Sequence, residues 1–296
     1  MSDCSLAKPT TPTFQHRLEY IGFRAVAGLM NALPIGAASA IMGFIWQVLA
    51  RFNHRHATVQ KHLKDAFPEK NQAWIRQITF QHWNNLGRTM AEGLCVGKLL
   101  QQRHRITLQS QDLIDQLAQS TKGAVFVSLH MGNWELLAVP ALENGLSMAG
   151  IYQRASNPLV DRYIRQVRQP LYPGGLHSKR RTSVNGLIKW VRGGETVCMM
   201  GDLRQSGGIK VPFFGHLAPS TPFPAMIAEK LDVPLIAACC RRTNGCHFTI
   251  QAVEIKPGVG ETMDERVADA TARLHRQFED WIRETPEQWM WGHRRR

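Results

Sequence analysis

Apolar positions fall into three patterns along the chain. From Ala25 to Ala50 no Asp, Glu, Lys or Arg occurs. That run exceeds the roughly 20 residues that cross a hydrocarbon core of about 30 Å. Residues 57–66 and 71–101 are apolar at helical spacing. The second stretch sets Trp74, Ile75, Ile78, Trp83 and Leu86 within one half of a helical wheel, with Phe80 off the stripe. Ala124 to Leu129 is a nearly continuous apolar run between Thr121-Lys122-Gly123 and His130. This is the pattern of a strand buried on both faces.

Asn133 is placed to cap a helix that starts at Trp134, kinks at Pro140 and stops at Gly145. A strand over 148–153 and helices over 157–169 and 183–192 follow. A second buried strand, Thr196–Met200, ends in Gly201-Asp202. Thr221-Pro222 opens a helix, and strands cover 234–240 and 246–255. Thr262-Met263-Asp264-Glu265 is a capping box. Its helix places Met263, Val267, Ala270, Leu274, Phe278 and Trp281 on one face. Strands alternating with helices predict an α/β fold, a mixed sheet flanked by helices.

The amino end adds a second unit. Residues 1–20 begin polar, with Pro9 and Pro12, unlike a cleavable signal. Arg51, Arg55, Lys61 and Lys64 follow the apolar run at once, and a basic flank marks the cytoplasmic side. The expected division is a polar segment 1–20, a membrane-associated helix 21–52 and a cytoplasm-facing domain 53–296. The alternative is an apolar hairpin buried in the globule or lying in the interface.

Hydrophobic residues make up 44% of the 296, which excludes a disordered chain and a polytopic transporter. Lys and Arg number 36 against 23 Asp and Glu, a net charge of +13. Such an excess calls for an anionic partner. No RNP1-like string or C2H2 spacing occurs, which argues against nucleic acid and leaves an anionic membrane or an acidic ligand. The six cysteines at 4, 95, 198, 239, 240 and 246 include no CxxC pair. Free thiols in a reducing compartment are expected, with no disulfide framework and no metal. A P-loop and a GxGxxG after a strand are both absent, so no nucleotide cofactor is implied.

In open α/β sheets, ligands bind outside the carboxyl ends of the strands. His130 and Asp202 stand there, and Glu135 follows His130 at His-x4-Glu spacing. A carboxylate on one imidazole nitrogen fixes the tautomer and frees the other to take a proton. That is the apparatus of a general base acting on a hydroxyl. The competing reading is a satisfied structural histidine. The same spacing recurs at His275 and Asp280, inside the helix from 262, and reads there as a solvated face.

His130-Met-Gly-Asn-Trp-Glu135 resembles the HxGNWE block of the bacterial late acyltransferases of lipid A biosynthesis, within the lysophospholipid acyltransferase superfamily. Leu63-Lys-Asp-Ala-Phe-Pro-Glu69 is similar to the family's NL-x-x-AFPE block, with His62 where Asn is usual. Ile151 to Asp161, with Arg168 downstream, resembles its YR…NP…D…R block, the arginine displaced to Arg154. Val211-Pro-Phe-Phe-Gly215, with Ala218 and Thr221, resembles its VPFFG…A…T block. Pro286 to Arg295 resembles its closing PEQ-x-x-W-x-H-R-R. The family's DQ is Asp202-Leu203 here.

The resemblance implies a glycerolipid acyltransferase-like fold with an amino-terminal membrane segment, at the cytoplasmic face of a bacterial inner membrane. It implies transfer of an acyl chain from acyl carrier protein to a hydroxyl of a lipid A precursor of the Kdo-lipid IVA type, without a cofactor. His130 would be the base and Glu135 would orient it. Backbone N–H groups at the Gly132–Trp134 turn and Arg168 would meet the oxyanion. Asn133, Arg154 and Asp202 are further candidates for substrate or oxyanion contact. Arg162, Arg165, Arg168, Lys179, Arg180 and Arg181 would face acidic carrier protein or lipid phosphates, and Arg294-Arg295-Arg296 anionic inner-membrane headgroups. Phe213-Phe214 would wall an acyl cavity or join the core. The alternatives are an enzyme that acylates a lysophospholipid or aminolipid, and a non-catalytic basic membrane-binding homologue.

Overall fold

The computed structural model describes residues 11–178 and 181–293. Its helices, in chain order, are α1 (Phe14–Ala32), α2 (Ile35–Leu49), α3 (His56–Ala66), α4 (Gln72–Leu94), α5 (Val96–Gln101), α6 (Gln111–Gln119), α7 (Ala138–Glu143), α8 (Pro158–Arg168), α9 (Arg181–Arg192), α10 (Phe223–Leu231) and α11 (Met263–Glu284). The strands are β1 (Ile106–Leu108), β2 (Ala124–Ser128), β3 (Met148–Tyr152), β4 (Leu176–Ser178), β5 (Thr196–Met200), β6 (Ile209–Phe213), β7 (His216–Ser220), β8 (Leu235–Asn244) and β9 (His247–Ile255). Seven strands form one sheet in the order β1-β9-β8-β2-β5-β3-β4. β8, β2, β5, β3 and β4 run parallel, whereas β9 opposes β8 and β1 follows β9. The fold is α/β with a mixed sheet flanked by helices, as the alternation predicts. β6 and β7 form a separate hairpin.

Burial explains the apolar runs. Every residue of β2 is buried. Val125, Val127 and Leu129 join one core with Val59, Leu63, Ile75, Leu274, Phe278 and Trp281. Ala124 and Phe126 join the other, with Ile35, Ala38, Leu99 and Leu136. Successive side chains point to opposite faces, so a strand covered on both faces has no polar alternation left. α11 starts with the expected capping box at Thr262 and Glu265 and buries Val267, Ala270, Leu274, Phe278 and Trp281. His275 is buried with them. Its expected solvated position is thereby corrected: the ring lies on the core side of the helix, with Nδ1 bonded to the Thr271 carbonyl at 2.9 Å.

Several boundaries shift for local reasons. The stretch 21–52, expected as one membrane-associated helix, is two helices. Leu33 is extended at φ −89° and ψ 153°, and Pro34 opens α2. Proline disfavours helical geometry in the residue before it. The segment Ile35–Phe52 is the one described stretch long and apolar enough to cross a membrane by length and composition. α2 nonetheless lays Ile35, Ala38, Ser39 and Gly43 inward, while Phe44, Leu49 and Phe52 stay exposed, as do Phe14, Ile21 and Leu29 nearby. Of the expected polar segment 1–20, residues from Phe14 onward are helical. Residues 1–10, with Cys4, lie outside the described residues. The helix expected over 71–101 breaks at Cys95 into α4 and α5. The helix expected from Trp134 begins as a 3-10 turn over Trp134–Leu137. Pro140 is the third residue of α7, where its missing N–H breaks no helical bond and no kink is needed.

One buried ion pair ties these layers together. Glu92 on α4 is 0% exposed and meets Arg242 on β8. Its oxygens also receive Ser39 Oγ of α2 at 2.7 Å and Asn133 Nδ2 at 2.9 Å. Arg242 Nε donates to Asn85 Oδ1 at 3.0 Å. Arg242 N–H donates to Gln288 Oε1 at 2.7 Å, and Gln288 Nε2 returns a bond to the Arg242 carbonyl at 2.9 Å. Removing one partner leaves an uncompensated buried charge, which costs about 3–5 kcal/mol. Glu92→Ala is therefore expected to lower unfolding stability by about 3–5 kcal/mol in urea titration, whereas truncation of the exposed Lys122–Asp232 pair should leave the urea midpoint nearly unchanged.

His82 on α4 donates Nδ1–H to the Trp289 carbonyl at 2.9 Å. Burial pushes its pKa down from 6.5 to about 4, against the carbonyl bond, which raises it. The unfolded chain then binds a proton at higher pH than the folded one. Stability should fall as pH drops from 6.5 to about 4, by up to about 1.4 kcal/mol per pH unit from this group. Urea midpoints of the wild type and His82→Gln across that window check it: the variant should lose that share of the slope.

Candidate active site

Strand pairing builds the centre of the site. β2 and β5 are parallel neighbours with Ser128 opposite Met200. Two residues further along each, His130 and Asp202 arrive together at the carboxyl edge of the sheet. Asp202 Oδ2 accepts the His130 backbone N–H at 2.8 Å, and Oδ1 accepts ring Nδ1–H at 2.8 Å. Trp289 Nε1 donates to Oδ2 at 2.8 Å. Asp202 is 2% exposed. Burial alone would raise its pKa, but the His130 charge and the bonds from His130 and Trp289 outweigh it. The carboxyl is held well below its usual range and stays ionised. With Nδ1 committed to a carboxylate, Nε2 is the nitrogen left for chemistry.

The ring has fixed neighbours. Trp134 stands edge-on at 5.1 Å between centroids, and His293 lies 5.9 Å away. Burial, then the charge of His130, lowers the pKa of His293. The segment 286–293 runs beside the His130 turn. Met131 and Trp289 form an antiparallel bridge, Met290 N–H donates to the His130 carbonyl at 3.0 Å, and Gly132 N–H donates to the Gln288 carbonyl at 3.0 Å. That last bond corrects one expectation: the Gly132 N–H is taken within the protein and does not face an oxyanion. Gly132 has φ +55°, and a Cβ there would lie 2.0 Å from the Cys240 carbonyl oxygen. Only glycine fits, on both counts. Asn133 is fully buried, caps the following turn by accepting Glu135 N–H at 3.3 Å, and reaches back to Glu92. It has no exposed surface to offer a ligand.

Glu135 does not fold back to His130. Its Oε1 accepts from Arg168 NH2 and from Trp134 Nε1, the latter at 3.0 Å. No hydrogen bond joins it to His130, and the expected orienting contact belongs to Asp202. The cause is local. The tight 3-10 turn aims Glu135 away, and Trp134 occupies the space beside the imidazole. Arg168, the last residue of α8, is thereby anchored by a buried carboxylate.

His130, Trp134, Glu135 and Arg168 open on a cavity of about 610 Å³. Leu137, Ile151, Leu176, Leu187 and Leu203 make much of its wall apolar, and Tyr172 and Arg204 add polar groups. Arg154 is exposed and off the lining, whereas its neighbours Tyr152 and Gln153 line it. Arg162 and Arg165 are exposed on α8. Lys179, Arg180, the Arg181 side chain and Arg294–Arg296 lie outside the described residues. Phe213 and Phe214 pack in the core rather than on the cavity. Among the described residues no group of three His, Cys, Asp or Glu is placed to hold a metal ion, and Cys95, Cys198, Cys239, Cys240 and Cys246 are buried and unbridged. Cys198 lines the cavity, and burial pushes its thiol up to about 12.

Sequence reasoning missed Glu92, Arg242, Tyr172 and the use of Gln288 and Trp289 as supports. An acid and an amide inside apolar stretches were the available signals for Glu92 and Gln288. No curated protein matches the chain. A comparison with family descriptions matches Bacterial lipid A biosynthesis acyltransferase over residues 8–296. The sheet-edge histidine, the cavity and that match agree, and the chain belongs to the bacterial lipid A biosynthesis acyltransferase family.

Proposed function

We propose that this acyltransferase moves a fatty acyl chain from acyl carrier protein to a hydroxyl of a lipid A precursor of the Kdo-lipid IVA type. The observation that carries the reading is a histidine bonded to a buried carboxylate at the mouth of a largely apolar cavity. His130 Nε2 takes the proton of the acceptor hydroxyl as the oxygen attacks the thioester carbonyl carbon. A C–O bond forms, the C–S bond breaks, and the imidazolium returns the proton to the departing thiolate. Asp202 fixes the tautomer and stabilises the imidazolium. Arg168, held by Glu135, offers its guanidinium to the charge developing on the carbonyl oxygen. No cofactor enters this scheme.

The exposed apolar residues of α1 and α2, with Arg51 and Arg55 beside them, support attachment to anionic lipid at the cytoplasmic face of the inner membrane. The exposed Arg162 and Arg165 of α8 support contact with an acidic carrier protein.

An assay with purified protein, acyl carrier protein thioesters and a tetra-acylated precursor tests the reaction. His130→Ala should lower transfer by about 10²–10⁴-fold, and Asp202→Asn by at least about 10²-fold, with vesicle binding retained. Full activity in both variants would remove the ring from the chemistry. Unchanged acyl number in lipid A from a deletion strain would defeat the substrate.

The Glu135–Arg168 pair makes a separate prediction. Glu135→Gln and Arg168→Gln should each lower kcat/KM, and the double variant should be little worse than the poorer single. The coupling expected for partners in contact is about 0.5–3 kcal/mol. Additive losses would show that the two act independently.

A further inference from the structure

Tyr172 is a polar residue of the cavity wall that the scheme above leaves unused. The residue is 8% exposed and lines the cavity. Its phenol oxygen forms no hydrogen bond with any described residue. The oxygen is not sealed from the cavity, and a tyrosine hydroxyl so placed ordinarily takes a partner. The polar groups around it are already engaged or neutral. Glu135 is taken by Arg168 and the Trp134 indole, and Cys198 is a thiol with its pKa pushed to about 12. Burial, then Cys198 and Glu135, raises the Tyr172 pKa well above 10. The phenol therefore stays protonated and keeps a proton to donate.

The backbone builds this position. Tyr172 N–H donates to the Gln169 carbonyl at 3.1 Å, and Gly175 N–H to the Tyr172 carbonyl at 2.9 Å. On β3, a Cβ at Gly150 would come within 2.8 Å of Tyr172 Cδ1 and 3.0 Å of Leu176 Cδ2. Glycine there lets the ring close against the strand. Ile151, Leu176 and Leu187 add apolar contact to the wall nearby.

We propose that Tyr172 is a substrate-binding residue whose phenol donates a hydrogen bond to an oxygen carried by the fatty acyl group seated in the cavity. This rests on the acyltransferase reading. A plain hydrocarbon tail offers no acceptor. The thioester carbonyl does, and so does a hydroxyl on the chain close to it. Both are the same chemistry, an acyl-borne oxygen accepting from a neutral phenol.

Tyr172→Phe removes the oxygen and keeps the ring. Without substrate, its melting temperature should equal or exceed that of the wild type, because the deleted hydroxyl has no partner to lose. A drop of several degrees would mean that the phenol is bonded within the protein, and would overturn the proposal. Kinetics with a saturated acyl thioester and its 3-hydroxyacyl counterpart of equal length then locate the acceptor. A loss of about tenfold in kcat/KM with the hydroxyacyl donor alone assigns the chain hydroxyl; a similar loss with both donors assigns the carbonyl. Values within twofold of wild type for both donors would overturn it. If the wild type transfers to no lipid hydroxyl, the acyltransferase reading itself fails. Calorimetric binding of dodecanoate and 3-hydroxydodecanoate still tests Tyr172: weaker binding of either by the variant supports it, and equal affinities refute it.

Discussion

A carboxylate shut away from water must be answered by donors, and Asp202 is answered from two distant parts of the chain. His130 supplies a backbone N–H and a ring N–H, and Trp289 supplies its indole. The two segments meet again through the Met131–Trp289 bridge and the Gly132–Gln288 and Met290–His130 bonds. The sheet brings β2 and β5 side by side, and the segment from Pro286 closes over the top. The register of one strand pair thus sets the orientation of the imidazole. A slip by a single residue would turn one of the two side chains to the opposite face.

A second buried acid does similar work one layer back. Glu92 holds Arg242, Ser39 and Asn133 at once. Through Asn133 it anchors the turn that follows His130, and through Arg242 it reaches Gln288. The His130 ring is therefore supported by two desolvated carboxylates, one touching it and one bracing the turn that follows it. The apolar helix α2 is drawn into the same network by Ser39. This ties α2 directly to the turn that follows His130.

Local signals in the sequence carried most of the fold. β2 and β5 are unbroken apolar runs, and the capping box of α11 stands where it was read. β1 and β4, of three residues each, are too short for any periodicity. The hairpin of β6 and β7 carries Pro212 and Pro219, which disguise strands. Pro34, inside the charge-free run, was a legible break. At the site, His130 and Asp202 were visible from their places at strand ends, and Arg168 only through the family resemblance. The pairing of His130 with Asp202 was not, because it depends on which strands become neighbours. Spacing pointed to Glu135, whose carboxylate is drawn to Arg168 by an ion pair formed across elements. The partners Glu92 and Arg242 lie far apart in sequence, and no local pattern joins them.

The closing segment also imposes an order in time. Trp289 and Gln288 leave the ribosome long after His130, roughly ten seconds or more at about 5–20 residues per second. α1 and α2 emerge before either. The His130 ring is thus braced by Asp202 and Trp289 only once the closing segment has followed, after α1 and α2 have had time to fold or find a surface.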